Sequence, residues 1–143
     1  MNPQRSTEQS KSLSPLASET LVRRIAELAW EKKANNLRAI RVLELVSYTD
    51  FLVVMSARSD RQVGAVVRHI KDTLSSESGI KPMSVEGTEQ NQWAVLDYGD
   101  AVVHVFYEPV RSFYDLERLW VEAPELELPV PAELTRVADP YGG

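Results

Sequence analysis

LDYGDAVVHVF, residues 96–106, contains the end of one apolar strand, a turn at Gly99-Asp100 and most of a second strand. Gly99 as the first central residue of a two-residue turn fits a type II′ hairpin loop, because that position needs a positive φ. The register follows from the loop length. Tyr98 pairs with Ala101, Asp97 with Val102, Val95 with His104 and Trp93 with Phe106. Side chains alternate along a strand and directly paired residues share a face. One face therefore carries Ala94, Leu96, Tyr98, Ala101, Val103 and Val105, a plain core surface. The other carries Trp93, Val95, Asp97, Val102, His104 and Phe106, which mixes large aromatics with an acid and an imidazole. Aromatic anchors beside orienting polar groups are the chemistry of a contact surface. A partly buried face under a helix, with His104 satisfied by a neighbour, fits the same pattern.

The flanking sequence supplies the rest of a mixed α/β layer. FLVVMSA, residues 51–57, is apolar almost throughout, as expected of a central strand covered on both faces. RAIRVLEL, residues 38–45, precedes it, and Met83 to Glu86 supplies a short strand after Pro82. From Ser18, the residues Leu21, Val22, Ile25, Leu28 and Ala29 recur at helical spacing, and this helix fades near Asn35-Asn36. Ser59 opens a second helix as its N-cap, with Gln62 at the capping-box position. Val63, Val66, Val67, Ile70 and Leu74 form its buried stripe, and Gly79 ends it. A last helix is expected over Val110–Trp120, with Val110, Phe113, Leu116, Leu119 and Trp120 on its apolar side. The expected fold is α/β: a single domain with a mixed sheet of about five strands flanked by helices.

Residues 1–17 read as a disordered lead-in, 18–120 as the domain, and 121–143 as an extended or disordered acidic tail rich in proline. Overall, 143 residues suffice for one core. The net charge of −5 disfavours phosphate-backbone binding as the main source of affinity, yet five acids against one base in the tail leave the body nearly neutral. A local basic patch stays open. With no cysteine, no export signal and no apolar run of bilayer length, a soluble cytoplasmic protein without disulfides is expected, and no membrane partner.

Catalytic patterns are sparse. His104 and Asp97 are diagonal neighbours, but a base pair of this kind needs a nucleophile or substrate pocket, and no nucleophile elbow occurs. His69 and His104 lack metal-ligand spacing, so no metal, cofactor or catalytic residue is assigned. The turn SARSDRQ, residues 56–62, lacks the glycines of a phosphate loop. Nucleotidyl transfer would need clustered carboxylates, and the nearby strand offers only Glu86.

Four segments in order and spacing carry a resemblance: SYTDFLVVMSARSDRQV (47–63), KPMSVEG (81–87), WAVLDYGDAVVHVF (93–106) and FYDLERLW (113–120). Together they resemble the ribosomal silencing factor family, also called iojap-like, over roughly Leu21–Trp120. The resemblance implies a domain similar in fold to nucleotidyltransferases but without their catalysis. Such a domain binds the large ribosomal subunit through large-subunit protein fourteen and blocks joining of the small subunit, particularly when nutrients are limiting. It also implies that the partner-binding residues are Trp93, Val95, Asp97, Gly99, Asp100 and His104, with Tyr114, Glu117 and Trp120 contributing or bracing the sheet. Trp93 would be an apolar anchor, Asp97 would meet a basic side chain, and His104 would orient the interface. Departures from the family pattern are Ala57-Arg58 in place of Gly-Thr, Tyr107 in place of histidine, and Gln92 in place of an acid. The near-neutral body and exposed sheet edges also admit minor contacts to ribosomal RNA and a homodimer when the protein is free. An alternative reading is a nucleotide-dependent enzyme with a degenerate nucleotidyltransferase site; a homo-oligomeric adaptor is a third.

Overall fold

The computed structural model describes residues 15–134; expectations for residues 1–14 and 135–143 lie outside the described residues. In chain order the elements are α1 (Pro15–Glu31), β1 (Asn35–Arg41), β2 (Phe51–Ala57), α2 (Asp60–Ser78), β3 (Ser84–Glu86), β4 (Trp93–Asp97), β5 (Ala101–Tyr107), α3 (Glu108–Tyr114) and a 3₁₀ turn, Leu116–Trp120. The sheet order is β1-β2-β5-β4-β3. Only β2 and β5 run parallel, joined by the crossover through α2 and the β3–β4 excursion; the other neighbours are antiparallel. The mixed five-stranded sheet is thus the one expected.

β2 lies near the middle and every one of its residues is buried. The hairpin register is also as read: Trp93 faces Phe106, Val95 faces His104 and Asp97 faces Val102. Gly99 has φ +85°, and the Tyr98 N–H donates to the Ala101 carbonyl at 2.9 Å to close the turn. At α2, Ser59 Oγ accepts from the Gln62 N–H at 3.0 Å. The Gln62 side chain reaches back one residue further than a capping box requires, accepting from the Arg58 N–H at 2.7 Å. Gly79 ends the helix at φ +68°, with the Gly79 and Ile80 N–H groups donating to Ser75 and Leu74 carbonyls.

The two faces of the sheet are covered differently. On one, the stripe of α1 (Val22, Ile25, Leu28, Ala29) and that of α2 (Val63, Val66, Val67, Ile70, Leu74) meet Phe51, Val53, Met55, Ala94, Leu96, Val103 and Val105. On the other, Ile40, Val42, Leu52, Val54, Val102 and Phe106 are covered by Val110, Leu116 and Trp120 from the short C-terminal elements.

Two expectations are corrected, and a third is made specific. The first strand spans Asn35–Arg41, not 38–45, because Lys33 in a left-handed conformation (φ +69°) turns the chain early enough for Asn35 to pair with Ser56. The last helix is not continuous over 110–120: Asp115 adopts φ +50°, ψ +47°, which ends α3 and redirects the chain into the 3₁₀ turn. A short polar side chain tolerates that left-handed geometry better than most. Of the tail expected to be extended or disordered, residues 123–134 form an extended strap. Glu125 bridges Ile40, the Arg41 N–H donates to Pro124 O at 2.8 Å and the Leu126 N–H to Ala39 O at 2.9 Å, so the strap pairs with the outer edge of β1. Beyond that edge Leu128 packs on the core and Leu134 packs with Ala26 and Trp30 of α1.

Candidate partner-docking site

The strands place Trp93 at the start of β4, on the sheet face covered by α3. It stacks on Phe106 (ring centroids 4.9 Å apart, planes at 27°) and meets Tyr114 at 4.8 Å. The break at Asp115 opens a groove of about 310 Å³ between these elements, lined by Trp93, Tyr114, Asp115, Leu116, Arg118 and Leu119. In its lining Leu119 is 71% exposed and Tyr114 also largely open to solvent, and Phe113, edge-on to Tyr114, is 79% exposed. Large apolar side chains gathered at such exposure mark an interaction surface more than a folding device.

Beneath the groove, His104 is mostly buried. Trp93 Nε1 is a donor only, so the 3.0 Å contact makes His104 Nδ1 the acceptor and leaves the ring proton on Nε2. Burial pushes the imidazole pKa down to about 4, so the ring is neutral at physiological pH. It orients Trp93 and carries no charge.

The 3₁₀ turn is held by an ion-pair network. Arg111 reaches Glu117 at 2.6 Å and also donates to Asn36 O at 2.7 Å and to Ser56 Oγ at 2.8 Å. Arg38 joins Glu117 at 3.0 Å and pairs with Glu125 of the strap. Burial raises the Glu117 pKa, but hydrogen bonds and charge from Arg111 and Arg38 outweigh it and hold the carboxyl below its ordinary range.

Among the sequence-predicted residues, Trp93 and Tyr114 meet in the groove, and Val95 lies half-buried on the same face. Asp97, Gly99 and Asp100 sit at the far end of the hairpin, about 13 Å from Trp93 by strand rise. There Asp97 Oδ1 accepts from the Gly99 N–H at 2.9 Å, and the Asp100 carbonyl accepts from the Asp50 and Phe51 N–H groups. The Asp97–His104 pairing considered above is therefore not made: each side chain has a different partner. Glu117 braces the turn, and Trp120 packs beneath it. His69 pairs with Glu31 at 2.7 Å, away from the groove. Phe113 and Leu119, expected on the apolar side of the last helix, are both largely exposed. Among the described residues, no group of three or more His, Asp or Glu side chains is placed to hold a metal ion, and no helix is long and apolar enough to cross a membrane.

Fold and site together define a class: a small mixed α/β domain with an aromatic-lined groove beside its short C-terminal elements. Residues 15–140 match the family model described as "Ribosomal silencing factor during starvation". The chain belongs to the ribosomal silencing factor family. The match runs past Trp120 and takes in the strap. The chain is 38% identical over 98 residues to the ribosomal silencing factor RsfS of Bacillus subtilis, covering 68% of this chain and 82% of that one. It is 34% identical over 113 residues to that of Halalkalibacterium halodurans, covering 79% and 96%. Against the chloroplastic protein Iojap of Zea mays it is 35% identical over 105 residues, covering 73% of this chain and 45% of that protein. A crystal structure of a Chromobacterium violaceum protein superposes with a TM-score of 0.69 at 29% identity, covering 80% of this chain and 93% of that one.

Proposed function

We propose that this protein represses translation by occupying the large ribosomal subunit, docking on large-subunit protein fourteen and sterically blocking the small subunit, particularly under nutrient limitation. The observation that carries the reading is the groove: Trp93, stacked on Phe106, with exposed Leu119 in its lining and exposed Phe113 edge-on to Tyr114, offers the central anchor that protein interfaces use. No chemistry is required of it, so the action is occupancy and the protein is not an enzyme. A cytoplasmic site of action and a homodimer that competes with docking are parts of the same reading. Asp97, Gly99 and Asp100 would take a second, polar contact at the far end of the hairpin, with Val95 and His104 supporting Trp93 between them.

Co-sedimentation with separated subunits tests it. Wild type is expected to pellet with the large subunit alone and to prevent joining. Trp93→Ala, shown to be folded, should weaken binding by about 30-fold or more, a typical loss for an aromatic hot spot. Equal binding by the folded variant would remove the groove from the interface.

A further inference from the structure

Basic side chains in this acidic protein differ in whether a carboxylate meets them. Arg24, Arg38, Arg41 and Arg111 each pair with a carboxylate. By contrast Lys32, Lys33, Arg58 and Arg61 are all exposed, and none of their side chains has an acidic partner among the described residues. Arg23, Arg68, Lys71, Lys81 and Arg118, scattered elsewhere, are likewise without an acidic partner among the described residues. Lys32 and Lys33 lie in the turn between α1 and β1, Arg58 in the turn between β2 and α2, and Arg61 in the first turn of α2. A single side chain ties the two turns together. The Gln62 amide accepts from the Arg58 N–H at 2.7 Å and donates from Nε2 to the Lys32 carbonyl at 3.0 Å. The four cations therefore surround one short stretch of surface. Asp60 is the one acid inside it; Glu31, at its margin, is engaged by His69.

We propose that this cluster is a binding surface for the phosphate backbone of RNA, separate from the aromatic groove. Two observations favour RNA over an acidic protein. Segments 31–33 and 58–62 contain no apolar residue, whereas protein interfaces need apolar anchors and are depleted in lysine. Unpaired lysines and arginines on a polar surface are what phosphate contacts use. The placement also fits the docking reading, on which the ribosomal source of the RNA rests. β2 and β5 are adjacent and parallel, with Ala57 beside Tyr107, so Arg58 and the start of α3 leave the same end of the sheet. The cluster and the groove thus open at one end on opposite faces, and a protein seated by its groove would present the cluster to RNA flanking the protein contact.

The test uses the full chain and two probes. The first is a labelled RNA duplex of about 20 base pairs, titrated from about 50 to 200 mM salt. Wild type is expected to bind with salt-dependent affinity. The variant Lys32→Gln/Lys33→Gln/Arg58→Gln/Arg61→Gln, and the milder Lys32→Gln/Lys33→Gln in case the first misfolds, should bind at least about tenfold more weakly at the low end. The four-residue variant should also have a salt slope shallower by about 3, near 0.7–0.9 per lost contact. Leu119→Ser should bind RNA as wild type does. The second probe is the large subunit beside isolated large-subunit protein fourteen. The cluster variants should lose affinity for the subunit and keep it for the isolated protein. No duplex binding by wild type, or unchanged affinity and slope in folded cluster variants, overturns the proposal. Loss of affinity for the isolated protein instead would make the cluster a protein contact and also overturn it. Duplex binding through the cluster by a protein that binds neither subunit would sink the docking reading and leave the RNA surface standing.

Discussion

The two faces of the sheet have opposite economies of coverage. One lies beneath α1 and α2, 17 and 19 residues long, whose apolar stripes are fully buried. The other lies beneath a seven-residue helix and a five-residue 3₁₀ turn that together bury none of their residues completely. The first face holds the fold together; the second spends part of its apolar surface on solvent, which is tolerable only because an ion-pair network fixes the short elements. Stability and accessibility are thus divided between opposite sides of the same five strands.

Substitutions that respect or cross this division sharpen it. Phe51→Ala, in the helix-covered core, should cost about 4 kcal/mol in denaturant unfolding, as for other buried aromatics cut to alanine. A loss under about 1 kcal/mol would mean that the helical face is less tightly packed than its burial indicates. Glu117→Ala strands the largely buried Arg111 guanidinium and should cost about 3 kcal/mol, with loosening concentrated in residues 108–120 by hydrogen exchange. Protection lost equally in α1 would show that the faces are not independent.

The third test uses pH. The folded pKa of His104, about 4, lies below the unfolded value near 6.5, so the unfolded chain binds the extra proton between them. Stability contributed by the neutral ring is fully present above about pH 7, falls as pH drops through 6.5, and stops falling below about 4. Between about pH 7.5 and 5 the loss should be roughly 2 kcal/mol. His104→Asn, which keeps an acceptor for Trp93, should flatten that part of the profile; an unchanged profile would place the titration elsewhere. The smallest effect is the most diagnostic: Leu119→Ser should change stability by less than about 0.5 kcal/mol while lowering large-subunit affinity about tenfold. A stability loss matching the affinity loss would make Leu119 a packing residue.

Most of the sheet was legible because its signals are local. The apolar run of β2, the turn at Gly99 and the α2 stripe each follow from a few neighbouring residues. The break at Asp115 was not, because Val110, Phe113, Leu116, Leu119 and Trp120 keep helical spacing straight through it. What stops the helix is tertiary: Arg111 is drawn to Asn36 and Ser56, and Glu117 to both arginines. That one error hid the exposure of Phe113 and Leu119. The strap was hidden likewise, since four prolines suggest a loose tail and its partner strand lies more than 80 residues earlier. Within the site, Trp93 is expected as an apolar anchor and Tyr114 as a contributor or a brace, and the two rings meet in the groove. The engagement of Asp97 with its own turn was also readable in principle, from an aspartate two residues before a glycine.

The strap also sets how these sheets can add to one another. Residues 124–126 are bonded to Ala39–Arg41 and cover that end of the β1 edge, whereas the outer side of β3 carries no strand among the described residues. A sheet open on both sides can recruit neighbours indefinitely and grow into a fibre, whereas one sealed along one side admits a single addition and then stops. The strap therefore biases edge pairing by this molecule toward β3, and losing it would uncover Ala39–Arg41 as a second place for a strand to add.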